Sequence, residues 1–159
     1  MGMLPEGLSF VRAEREPVWV DIIQSDLTKP KFRVKVGQLS VDRFKRLLSK
    51  STLPAGVRPN SKAAEQHAHQ FNVKYCKTVV LGWEGLTVEN LEAILAGDDV
   101  LAGDALEEWR ESGREMQHSN ELAVYLHENT WAENYSNKIF EALQAGAEVD
   151  GEIEEESFE

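Results

Sequence analysis

Strict alternation marks the first readable stretch of the chain. Lys31 to Val36 sets Phe32, Val34 and Val36 on one side and charged residues on the other, the pattern of a strand with one buried and one wet face. Upstream, Val18-Trp19-Val20-Asp21-Ile22-Ile23 is β-branched and aromatic and follows Pro17, a residue suited to the first position of a strand. Turn chemistry between Gln24 and Pro30 joins the two into a predicted β-hairpin. A lone hairpin is marginal in water, so its apolar face is expected to pack on helices. The period then changes. Behind the N-cap Ser40, the residues Val41, Phe44, Leu47 and Leu48 share one helix face, with Arg43, Lys45, Arg46 and Lys50 on the rest. Pro54, Gly56 and Pro59 end that helix. Asn60 or Ser61 caps a second one of roughly five turns, with an apolar seam at Ala64, Ala68, Phe71, Tyr75 and Val79.

That seam runs into Val79-Val80-Leu81-Gly82-Trp83-Glu84-Gly85-Leu86, where two glycines bracket a tryptophan and an acid. Glycine costs roughly 1 kcal/mol relative to alanine inside a helix, so the helix is expected to stop here. Gly82, Trp83, Gly85 and Leu86 are read as a hinge pinned to the core by the indole. Thr87 caps a short helix with Val88, Leu91, Ile94 and Leu95 inward, closed by Ala96-Gly97-Asp98-Asp99. Residues 97–118 read as a mobile connection holding a weak helix around Ala105–Glu111. Ser119 caps the last clear element, whose apolar turns are Leu122, Tyr125 and Leu126, then Ile139, Phe140 and Leu143. Asn129, Asn134, Tyr135, Ser136 and Asn137 weaken the signal between them, leaving one long helix or two open. From Gly146 seven acids in fourteen residues describe a disordered tail. The fold class is therefore mainly α: a flexible arm over 1–16, one helical domain with a small N-terminal hairpin over 17–145, and an acidic tail over 146–159.

Charge sharpens this picture. The net charge of −11 divides into +7 over residues 1–80 and −18 over residues 81–159. Such a split fits a basic face and an acidic face, or an acidic half that keeps the chain dispersed. No window approaches the ~20 apolar residues of a membrane helix, and no basic, apolar leader opens the chain. With Glu6 where myristoylation wants Ser or Thr, and a single cysteine, cytoplasmic residence is expected.

Little here carries chemistry. His67 and His69 stand two apart on a predicted helix and so point to different faces, whereas helical metal pairs use i, i+4. His118 and His127 read as surface residues. Cys76 beside Lys77 matches no nucleophile motif and reads as a partly buried structural thiol. No phosphate-binding loop, nucleophile elbow or zinc-binding helix motif is present, so no enzyme, metal or cofactor is expected. Arg33, Lys35, Arg43, Lys45, Arg46 and Lys50 suit phosphate, but nucleic acid would meet the −18 half. Among the tryptophans, Trp83 fits the core. Trp109, set between Glu107, Glu108, Arg110 and Glu111, fits an exposed partner-binding anchor, with Tyr125 and Trp131 as further contacts.

The order of elements resembles the tail assembly chaperones of long-tailed bacteriophages. The resemblance rests on the extended segment Trp19 to Val36, the helix pair, the run Val79 to Leu86, and His118-Ser119-Asn120-Glu121-Leu122-Ala123-Val124-Tyr125-Leu126. It spans residues 18–145, with the acidic stretch 97–117 and Leu122 as departures. It implies a non-enzymatic protein that coats the tape-measure protein, keeps its apolar helices soluble and recruits tail-tube subunits, with self-association possible. A second function fits the composition: a small acidic regulator that mimics nucleic acid and blocks a nucleic-acid-binding partner.

Overall fold

The alternating strand finds two partners rather than one. The structure, a computed structural model, describes residues 5–7, 16–23, 31–97 and 101–157, with side chains as far as 148. Strand β1 (Val18–Ile23) pairs antiparallel with β2 (Phe32–Val36), which pairs antiparallel with β3 (Val80–Glu84), giving the order β1-β2-β3. Thus the hairpin expected at the N-terminus is two-thirds of a sheet completed by residues read as the end of a helix. The joining turn at 24–30 lies outside the described residues, as does most of the arm.

Helix α1 (Val41–Ser49) starts at Ser40, whose hydroxyl accepts from the Arg43 amide, and α2 (Lys62–Val79) starts likewise at Ser61. In both, a side-chain oxygen satisfies an amide that has no partner inside the helix. Helix α3 (Val88–Ile94) follows its Thr87 cap, and α4 (Leu106–Ser112) occupies the predicted weak helix. Helix α5 (Asn120–Asn129) is capped by Ser119; a single 3-10 turn, Ala132–Asn134, then separates it from α6 (Ser136–Ser157). The open choice near Asn134 resolves into two helices. With 53% of the chain helical, the mainly α class holds, with a three-stranded sheet inside it.

Phe32, Val34 and Val36 are each 0% exposed, as their alternation requires. They meet Tyr75, Cys76 and Val79 of α2, Leu126 of α5 and Ile139 and Leu143 of α6 in one cluster. The expected seam of α2 needs one change: Ala64, Tyr75 and Val79 are buried and Phe71 is half-buried, but Ala68 is exposed. Helix α6 runs without a break through the boundary expected at 145/146. Gly146 lies on α6, where a Cβ would press into the Gln38 side chain with its Cδ 2.8 Å away, and Ala147 is buried. The backbone from there to Ser157 is helical where composition predicts a disordered tail.

Candidate partner-binding site

The run read as a hinge divides into two parts. Gly82 and Trp83 belong to β3, opposite Lys35 and Val34, so Gly82 is not the helix stop; α2 already ends at Val79. Lys35 pairs with Gly82 and Val36 with Val80, which leaves Leu81 as the extra residue of a bulge, 45% exposed. The turn itself is made at Gly85, with φ of 83°, and at the fully buried Leu86.

Around this turn a strap of hydrogen bonds draws in the acidic connection. Trp83 Nε1 donates to the Met116 carbonyl at 2.9 Å, the Met116 amide donates to Leu86 O at 2.8 Å, and the Gly85 amide donates to the Glu115 carboxylate. Below them the buried Asn90 donates from Nδ2 to Gly85 O at 2.7 Å. Asn90 escaped the sequence reading although it sits one turn before Ile94 on the inward face of α3. Trp83 is half-buried, set edge-on to Phe32 and to His118, whose Nε2 lies 3.1 Å from Val80 O. His118 is exposed, as expected, although its ring rests against Trp83.

The strap holds residues 114–118 against β3, and the segment before them folds over α3. Between the two lies an open apolar cavity of about 270 Å³, lined chiefly by Val88, Leu91, Leu101, Leu106, Trp109 and Met116. Trp109, expected as an exposed anchor, is half-buried here, with the Arg114 guanidinium 4.1 Å from its ring centre. Helix α4 buries no residue fully and is tied to α3 by Arg110, which donates to Glu92 Oε1 and Oε2 at 2.9 and 2.8 Å and also pairs with Glu107. Tyr125 and Trp131 remain outward, 37% and 56% exposed. The Trp131 amide donates to Ile94 O at 3.4 Å, which ties its backbone to the end of α3, whereas Tyr125 lies on the outer side of α5. The structure therefore gathers Trp109 and the Gly85–Leu86 turn around α3 and Met116, and leaves Tyr125 apart. Leu101 and Met116 were missed; lone apolar residues within an acidic stretch were the available signal.

The basic residues separate. Arg33 pairs with Glu84 and stacks 4.4 Å over the Trp19 ring, so it is neutralised on the outer face of the sheet. Arg43, Arg46 and Lys50 instead flank a shallow cavity of about 180 Å³ beside Thr78.

Burial shifts the titration of several interior groups, Cys76 and His127 among them. Burial pushes the Cys76 thiol up to about 12, with the Glu128 charge adding to it, and Cys76 Sγ lies 3.6 Å from Ala123 O. A thiolate is the reactive form, so disulfide-exchange reagents at pH 7.5 are expected to label Cys76 only as fast as the protein opens. The label appearing at once in native protein would refute that burial. His127, expected at the surface, packs its ring 5.2 Å from that of Tyr75, with Nδ1 3.1 Å from Ser136 Oγ. Burial holds its imidazole below the ordinary range, and the Glu128 charge opposes this only in part. The unfolded chain therefore binds more protons than the fold as pH drops through about 6.5. Stability contributed by neutral His127 is full above that pH and lost below it. Urea midpoints at pH 7.5 and 5.5 are expected to show the loss, and His127→Gln to reduce it; an unchanged difference would place its origin in other groups.

Among the described residues no three His, Cys, Asp or Glu side chains are placed to hold a metal ion, and no helix is long and apolar enough to cross a membrane. Comparison with family models, curated proteins and solved structures returns no match.

Proposed function

We propose that this chain is a non-enzymatic, partner-binding domain acting as a tail assembly chaperone in the host cytoplasm. In that role it sheathes apolar helices of a tape-measure protein and recruits tail-tube subunits as the tube grows. The observation that carries this reading is the open apolar cavity at Trp109 in the acidic half of the chain, together with the exposed Trp131. Apolar contact surface supplies affinity for a client helix, and surrounding charge keeps the free protein dispersed. The test is co-purification after co-expression with the tape-measure protein and the tube subunit of the same phage. Recovery of neither counts decisively against the role. Light scattering adds a second check: an oligomer indifferent to salt accords with assembly along a client, and a strict monomer weighs against it.

One observation favours an acidic regulator as the second reading. Six acids fall between Glu148 and Glu156 in the sequence of α6, an array of negative charge along the chain. Ending the chain after Glu148 keeps the buried Ala147 in place while removing most of that array. Loss of a basic partner on this truncation, together with steep weakening by salt, selects the regulator.

A further inference from the structure

We propose that the cavity beneath α4 seats one bulky apolar side chain, carried on a lysine- or arginine-rich segment of a protein partner. The inference rests on the partner-binding reading and specifies the chemistry of what is bound. Size comes first. At about 270 Å³ the cavity falls below the roughly 300–1,000 Å³ usual for small-molecule sites, yet it has room for one large side chain. Its lining is aliphatic and aromatic, with Met116 as an adaptable wall, so an apolar group is favoured inside it.

Charge selects what surrounds that group. Residues 101–116 hold five acids and two arginines, and Glu89 and Glu92 stand on the adjoining α3. Both arginines are engaged: Arg110 with Glu92 and Glu107, Arg114 with Glu108 and the face of Trp109. Asp104, between the lining residues Gly103 and Ala105, has no cation partner among the described residues and is exposed. The field at the mouth is negative, which repels an acidic peptide and draws in a basic one. A second copy's α1 does not supply the segment, because Leu47 is buried and Phe44 stacks on Phe140 at 5.8 Å within its own chain.

The experiment titrates the full chain, by calorimetry and tryptophan fluorescence, with three synthetic helical peptides. One carries a central phenylalanine among lysines and alanines, the second replaces that phenylalanine by alanine, and the third replaces the lysines by glutamates. The first peptide is expected to bind, the second about tenfold more weakly or worse, and the third not at all. Added salt is expected to weaken the first. Ala102→Phe, at an exposed lining position, fills the cavity from within and is expected to cost the first peptide about tenfold, while Val18→Ala, on the exposed edge strand β1, leaves it unchanged. Circular dichroism verifies that both variants fold. No binding of the phenylalanine peptide by about 1 mM overturns the proposal, as do equal binding of the lysine and glutamate peptides or an Ala102→Phe titration identical to wild type. Tape-measure capture undiminished by Ala102→Phe also overturns it, while leaving the chaperone role standing. Peptide binding with the expected pattern but no capture of the tape-measure protein supports the site and removes that role.

Discussion

Gly85→Ala is expected to destabilise the protein by about 4 kcal/mol or more, among the largest effects of any single substitution in the chain. Two costs combine. At φ of 83° a side chain is strained by about 1–2 kcal/mol. The added Cβ would also collide with the Lys31 carbonyl, whose carbon would be 2.7 Å away, and would stand 3.1 Å from Phe32 Cα. These are backbone atoms at the entrance to β2, so relief requires the turn and the central strand to separate. That movement breaks the contacts the turn organises: the Asn90 bond to Gly85 O and the Glu115 bond to its amide. For a chain of this size the loss corresponds to a fall of ~8–16 °C in melting temperature. Gly82→Ala is the matched control, since its Cβ meets nothing within 4 Å. Its cost is expected to stay within about 0.5 kcal/mol. Urea melts of the two variants decide the matter, and equal midpoints would remove Gly85 from the turn.

Phe32→Ala is the second large effect, at about 3–5 kcal/mol. The ring is 0% exposed, stacks on Tyr135 with centres 6.5 Å apart and 8° between planes, and meets Trp83 edge-on at 6.5 Å. Its removal opens a cavity where β2, β3 and the start of α6 converge, and a close-packed interior collapses into such a space only in part. Trp19, on the same sheet but 42% exposed, provides the contrast: Trp19→Ala is expected to lose about 1 kcal/mol or less, chiefly its stacking with Arg33. Denaturant titration followed by fluorescence and by far-ultraviolet circular dichroism gives both values. Coincident transitions show whether the sheet and the helices unfold as one unit. If Phe32→Ala costs no more than Trp19→Ala, the sheet does not contribute to the core as described.

Elements whose cause is local could be read along the chain. Ser40, Ser61, Thr87 and Ser119 each cap the helix expected of them, because a cap is settled within three residues. Alternation in β2 identified the buried side of the sheet for the same reason: a side-chain period of two needs no distant partner. The third strand was not legible. Val80 to Glu84 is too short to show a period and continues directly from a helix, so only pairing with β2 makes it a strand. The fate of the two glycines was likewise tertiary, decided for Gly85 by the approach of Lys31 and for Gly82 by the bulge. The candidate site followed the same division. Trp109 stood out by composition, but its partners Leu101 and Met116 come from an acidic stretch without periodicity, brought to α3 by hydrogen bonds that span about thirty residues. His127 looked like a surface group because neighbouring polarity is a local signal, whereas burial depends on which helix lies opposite. By itself the sequence determined the helices, their caps, the apolar face of the hairpin and the division of charge, all of them short-range consequences of residue type and spacing. Only the tertiary structure decided the central place of β2, the turn at Gly85 and the cavity under α4, because each depends on contacts between residues far apart in the chain.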